Sequence, residues 1–236
     1  MTIIKQQDLI DSIADSLQYI SYFHPLDYIQ ALGEAYKAEQ SPAAKDAIAQ
    51  ILTNSRMCAE GHRPICQDTG IVVVFLKIGM NVRFEGTMPL DDMINEGVRK
   101  GYLDPDNKLR ASIVNDPAGK RTNTKDNTPA VIHIQMVAGD KLEIDIAAKG
   151  GGSENKAKFT MLNPSDSIVD WVVKTVPTMG AGWCPPGMLG IGIGGTPEKA
   201  MVMAKQSLME PIDMHELKKR GAKRALKNCA WNCMKK

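Results

Sequence analysis

Pro64-Ile65-Cys66-Gln67-Asp68-Thr69-Gly70-Ile71-Val72-Val73-Val74-Phe75-Leu76-Lys77-Ile78 is the stretch at which this chain changes its period. Upstream, Leu9, Ile10, Ile13, Leu17 and Ile20 recur at helical spacing. From Ile71 to Ile78 nearly every position is apolar, which predicts a strand covered on both faces. Cys66 stands between the two regimes in a turn-forming frame.

Working back from that frame, the first sixty residues predict helices. Pro25 suits a first helical turn. Ser41-Pro42 places a hydroxyl cap before a proline at the first helical position. The helix that follows carries Ile48, Ile51 and Leu52 and stops near Gly61. Working forward, Pro89–Leu103 returns to helical spacing. In 130–148, Ile132, Ile134 and Met136 alternate with polar residues, as do Leu142, Ile144 and Ile146, with Gly139-Asp140 between them; this predicts a hairpin. Ser165–Val176 predicts a short helix and Met188–Ile193 a strand. Thr196-Pro197 starts a last helix with Ala200, Met201, Ala204 and Leu208 on one face. No internal repeat and no regular strand–helix–strand rhythm is present. The expected class is therefore α+β: N-terminal helices, then a mixed sheet and hairpin with packed helices.

The net charge of +2 misleads. Residues 217–236 hold eight Lys/Arg and no Asp or Glu; the remainder has 21 basic and 27 acidic residues, a net of −6. A body of that sign gives no reason to expect a nucleic-acid partner. No apolar run reaches the ~18 residues of a membrane span, so no membrane association is expected. Met1-Thr2-Ile3-Ile4-Lys5-Gln6 leads straight into an amphipathic helix without an apolar signal core, which points to a cytoplasmic protein. Five cysteines, an odd number, argue against a disulfide framework.

Two cysteines sit in rigid turns, Cys66 and the Cys184 of Gly182-Trp183-Cys184-Pro185-Pro186-Gly187. Iron–sulfur clusters need thiolates, which distant loops supply. A structural zinc site shows local cysteine pairs instead, and two inert cysteines satisfy the same spacing. Cys58, at the end of a helix, reads as structural. Cys229 and Cys233 are four residues apart, but no second pair accompanies them; zinc there is the competing metal reading. Asp68 suits acid–base work and Gln67 suits donation to a carboxylate, or the segment is an Asx-type turn before Gly70. Lys149-Gly150-Gly151-Gly152-Ser153-Glu154-Asn155-Lys156 lets backbone N–H groups approach an anion, unless it is a flexible loop. Arg110 is a natural bidentate partner for a carboxylate, or a solvated surface arginine. His24, His62, His133 and His215 show no metal-ligand spacing, and His62 reads as structural. Gly190-Ile191-Gly192-Ile193-Gly194-Gly195-Thr196 reads as a tight strand-to-helix turn rather than a dinucleotide loop.

Taken together, Ile65–Gly70, Leu109-Arg110, Asn127-Thr128-Pro129-Ala130, Ala148–Ser153, Cys184-Pro185-Pro186 and Gly194-Gly195-Thr196 resemble the class I, iron–sulfur-dependent fumarate hydratases and the related α subunit of L-tartrate dehydratase. The motifs are individually weak and jointly specific. The resemblance implies the N-terminal domain of that hydro-lyase type over 1–222, incomplete at its C-terminal end, followed by an aberrant basic tail over 223–236. It implies a 4Fe–4S cluster held by three cysteines, with one iron open to a small dicarboxylate. Cys66 and Cys184 match two of those ligands. The third lies well beyond Cys184 in the family, and neither Cys229 nor Cys233 occupies its motif. By the same resemblance Gln67, Asp68, Arg110 and the backbone of Gly150 face the substrate, Asp68 takes part in proton transfer, and the base belongs to a later domain. The implied reaction is reversible addition of water to fumarate, giving L-malate. The family implies a homodimer of the longer chain, or a separate C-terminal chain as partner. A tartrate dehydratase α subunit that needs such a partner, and a fragment without activity, are the competing readings.

After Gly221 the family continues as a charged amphipathic helix of the type Glu-Glu-Leu-Arg-x-Glu-Leu-Tyr-Glu-Lys-Val. This chain reads Lys227-Asn228-Cys229-Ala230-Trp231-Asn232-Cys233-Met234-Lys235-Lys236. One permitted codon set for these residues, read one base earlier, gives Glu-Glu-Leu-Arg-Leu-Glu-Leu-Tyr-Glu-Lys, then Val, with a stop in the present frame. The expectation is a frameshift near residue 226.

Overall fold

A computed structural model of the chain describes residues 1–184, 187–211 and 219. The tail over 223–236, with Cys229 and Cys233, lies outside the described residues. In chain order the elements are β1 (Thr2–Lys5), α1 (Gln6–Tyr22), α2 (Leu26–Ala38), α3 (Pro42–Gly61), β2 (Ile71–Gly79), β3 (Val82–Glu85) and α4 (Leu90–Tyr102). Then come β4 (Val114–Asn115), β5 (Thr122–Asn123), β6 (Val131–Val137), β7 (Leu142–Lys149), α5 (Gly151–Glu154), α6 (Ile168–Thr175) and α7 (Pro197–Ser207). Helices and mixed sheets make this an α+β fold. The chain divides into two compact units, Met1–His24 with Ala49–Gly151, and Pro25–Ile48 with the chain from Gly152 on. Among the described residues no helix is long and apolar enough to cross a membrane.

The first unit is built on β2. It is the middle strand of three, in the order β6-β2-β7. β6 runs parallel to it, with Val73 opposite Val131 and Gly79 opposite Val137. β7 runs antiparallel, with Ile71 opposite Lys149 and Ile78 opposite Leu142. On one face Val72, Val74, Leu76 and Ile78 pack with Leu9, Ile10, Ile13 and Leu17 of α1 and Met93, Ile94, Val98 and Tyr102 of α4. On the other, Val73 and Phe75 are only 3% and 5% exposed, and the Phe75 ring stacks on His133 at 4.7 Å. Burial on both faces is what the apolar run predicts.

The expected pairing of the two arms of 130–148 is corrected. The strands form where the alternation places them, but β2 lies between them. Alternation fixes which face is apolar and says nothing of the neighbour. A strand apolar on both sides belongs at the centre of a sheet, and the two amphipathic strands take its edges. β1, which precedes the first helix, pairs in parallel with β3 and was not expected; four residues are too few to show a period.

In the second unit Ser167 caps α6, its Oγ accepting the Asp170 N–H at 3.2 Å. The strand expected at Met188–Ile193 is absent: the segment is irregular. A Cβ on Gly190 would lie 2.1 Å from Ala204 O, and one on Gly192 1.9 Å from Ala200 O. The glycines of this alternating run press on the backbone of α7 rather than joining a ladder. The turn into α7 is as expected, with Gly194 and Gly195 at φ 87 and 75.

Ile94 is fully buried in the α1–α4–β2 core. Ile94→Ala is expected to cost about 2–5 kcal/mol. Urea unfolding should show a lower midpoint at unchanged slope.

Candidate active site

The segment that leaves α3 is tied down at each step toward Cys66. Ile65 N donates to Ser21 O of α1 at 2.8 Å. Asn54 Nδ2 of α3 donates to Ile65 O at 2.9 Å. Cys58 is buried beneath the turn, its thiol within 3.7 Å of Pro64 O, which is a structural role. His62 stacks on Tyr22 at 4.6 Å, also as expected for a structural residue.

Cys66 is exposed and free. Its Sγ accepts the Asp68 N–H at 3.5 Å and donates to Gln67 Oε1 at 3.2 Å. An accessible sulfur with a backbone N–H aimed at it suits a thiolate that binds metal. The Asp68 carboxylate accepts two backbone donors: Oδ1 takes Gly70 N–H at 3.2 Å and Oδ2 takes Gly151 N–H at 2.9 Å. The first bond is the Asx-type turn. The second brings the glycine run to the cysteine turn. That run is not a loose loop, because Gly151 begins the single turn α5. Gly70 sits at φ 84, and a Cβ there would lie 2.7 Å from the backbone of Ala148 and Lys149. No side chain fits between the turn and the end of β7.

The Arg110 segment joins the same group. Leu109 is buried, and its N–H donates to Tyr102 O at 3.2 Å. Arg110 therefore points outward and is exposed. Among the described residues no carboxylate pairs with it. Thr69 Oγ1 donates to Arg110 O. Tyr102 OH donates to Thr69 O at 2.6 Å. Burial pushes the Tyr102 phenol up to about 12; it stays a neutral donor. Asn127 Nδ2 donates to Gly70 O at 3.0 Å. Cys66, Gln67, Asp68, the Arg110 backbone and the start of α5 beside Gly150 thus come together within the first unit.

Cys184 belongs to the second unit. It too is exposed and free. It follows a short 3-10 turn, Ala181–Trp183, and sits at φ 59, ψ 62, its N–H donating to Ala181 O at 3.0 Å. A left-handed non-glycine residue fixes the direction in which its side chain leaves the turn. Also in this unit, Lys205 of α7 pairs with Glu154. Among the described residues no group of three or more His, Cys, Asp or Glu side chains is placed to hold a metal ion.

Thr69, Tyr102 and Asn127 carry no signal of their own in the sequence. Tyr102 reads as the end of a helix, and Asn127 only as part of a motif.

A family model described as fumarate hydratase (Fumerase) matches residues 10–229. A putative L(+)-tartrate dehydratase subunit alpha of Methanocaldococcus jannaschii is 37% identical over 209 residues, which cover 86% of this chain and 72% of the relative. L(+)-tartrate dehydratase subunit alpha of Escherichia coli O157:H7 is 27% identical over 207 residues, covering 86% and 68%. The protein of that name from Escherichia coli K12 gives the same identity and coverage.

Proposed function

Because this chain belongs to the fumarate hydratase (Fumerase) family, we propose that it serves a cytoplasmic hydro-lyase that adds water reversibly to the double bond of a dicarboxylate. The leading substrate is fumarate, giving L-malate. The observation that carries this reading is the clasped turn itself. An exposed thiol, an amide side chain, a carboxylate and the backbone of an exposed arginine are held within one hydrogen-bonded group. A second reading, L-tartrate dehydration, is supported by the names of the relatives.

The donor set fits the family's cluster in part. Cys66 and Cys184 are accessible thiols in rigid turns, and each would hold one iron of a 4Fe–4S cluster. The family's third thiolate has no counterpart among the described residues. The relatives bear the name subunit alpha, which supports a partner chain in the working enzyme. When bound, the cluster supplies a Lewis acid that stabilises charge on substrate oxygen.

The remaining work falls to this chain's own groups. Arg110 takes one substrate carboxylate in bidentate fashion. Gln67 Nε2 donates to a carboxylate oxygen, and the backbone at Gly150 faces the substrate. Asp68 keeps a free lone pair on each oxygen beyond its two backbone bonds, and there it takes up or returns a proton. Tyr102 and the fixed α5 turn hold these groups in place before substrate arrives.

Arg110→Ala should cost about 1.5–3 kcal/mol of dicarboxylate binding, a rise in KM of about 10- to 150-fold with a smaller change in kcat. The reading is tested by anaerobic assay of the chain with its complementing subunit against fumarate, L-malate and L-tartrate. Turnover of fumarate above L-tartrate supports the leading reading. The reverse order supports the second, and no turnover of any of them overturns both.

A further inference from the structure

Asn127 is fully buried, and both ends of its amide are used. Nδ2 donates to Gly70 O at 3.0 Å. Oδ1 accepts from Ser112 N at 2.7 Å and from Ile113 N at 3.3 Å. Its backbone sits at φ 62, a left-handed conformation that asparagine tolerates better than most residues. Gly70 closes the turn that begins at Cys66, and Ser112 follows two residues after Arg110. One side chain therefore bridges the cysteine turn and the arginine segment from below.

Glycine, alanine and aspartate do not supply this set. Glycine accepts the backbone but loses all three bonds. Alanine loses them and is strained at this φ. Aspartate accepts the φ and the two N–H donors, but when ionised it turns an acceptor on the Gly70 carbonyl in a fully buried site.

We propose that Asn127 is a positioning residue that fixes the Cys66 turn against the Arg110 segment, so that a dicarboxylate on Arg110 is held at a set place relative to Cys66. Asn127 itself touches neither. The dicarboxylate part rests on the hydro-lyase reading; the coupling of the two segments does not.

Asn127→Asp gives this role a signature that general destabilisation lacks. A protonated carboxyl has one O–H donor and one acceptor, the same polarity as the amide. It restores the bridge at low pH. Burial against a carbonyl raises the folded-state pKa of such a group. The bridge is then present below that pKa and is lost as pH rises through it.

The test is amide NMR of the reduced full chain as wild type, Asn127→Asp and Asn127→Gly, with L-malate as the probe ligand. In the wild type the Asn127 Nδ2–H signals should exchange slowly with solvent. In Asn127→Asp the amide signals of Asp68, Gly70, Ser112 and Ile113 should move together in one titration that the wild type lacks. L-malate binding should weaken at least tenfold across the same midpoint. Asn127→Gly, which lacks all three bonds, should show no such titration and should bind L-malate weakly at every pH. Wild-type Nδ2–H groups that exchange at the solvent rate overturn the proposal without any variant. So does an Asn127→Asp chain that shows no titration, moves only one segment, or binds L-malate equally on both sides of the midpoint. Failure of L-malate to bind the wild type, or equal binding by Arg110→Ala, overturns the dicarboxylate part of the proposal, while the hydro-lyase reading is decided by the assay with the complementing subunit. The joint titration still decides the coupling.

Discussion

Cys66→Ser and Cys184→Ser are each expected to bring fumarate hydration by the completed enzyme below detection. A serine hydroxyl does not replace a thiolate on iron, and each cysteine is proposed as one of three ligands. Cys58→Ser is the matched control. Cys58 is buried beneath the turn, with its thiol against Pro64 O and Asn54 Oδ1. Its replacement should lower stability modestly and leave the specific activity per bound iron unchanged. Loss of fumarate absorbance under anaerobic conditions is the measurement. Equal activity in Cys184→Ser and wild type would remove Cys184 from the site.

The second large effect is expected at Asp68. Asp68→Asn should lower kcat by about 10²- to 10⁴-fold, the usual contribution of a positioned acid–base group. The substitution also touches the architecture, because an amide accepts from only one of the two N–H groups of Gly70 and Gly151. Iron content separates the two consequences. A fall in kcat at unchanged iron per chain supports proton transfer by Asp68. A parallel fall in both shows that its work is to hold the turn, and the proton must then move elsewhere.

Much of the framework was legible in the residues because it depends on local pattern. The run from Ile71 to Ile78 could not face water on either side, and β2 is covered on both. The helical spacing of Leu9, Ile13 and Leu17 matches the face of α1 that meets the core. Partner choice was not legible. Ile132 and Ile144 alternate like the arms of a hairpin, yet both pair with β2, at Val74 and Leu76. Met188–Ile193 failed for a different reason. Its alternation of glycine and large apolar residues mimics a strand, but it reflects contact with α7, while Leu189 and Ile191 remain exposed.

At the site, the chemistry-bearing residues were visible as types, and the bonds that hold them were not. Cys66, Gln67 and Asp68 are adjacent in sequence. Their link to Gly151 spans a sequence separation of 83 residues and appears only in the fold. Asn127 is harder still. A buried asparagine and an exposed turn asparagine look alike in one sequence, and only three bonds to two segments distinguish them.

The central proposal is that Cys66 and Cys184 hold a cluster completed by a third thiolate from outside the described residues, in the presence of a partner chain. The most direct measurement is iron and acid-labile sulfide content, with a Mössbauer spectrum, after anaerobic reconstitution of this chain alone and with that partner. The expected result is a substoichiometric, labile cluster alone and a stable 4Fe–4S cluster in the complex, lost in both Cys66→Ser and Cys184→Ser. A stable cluster that survives both serine substitutions would contradict it.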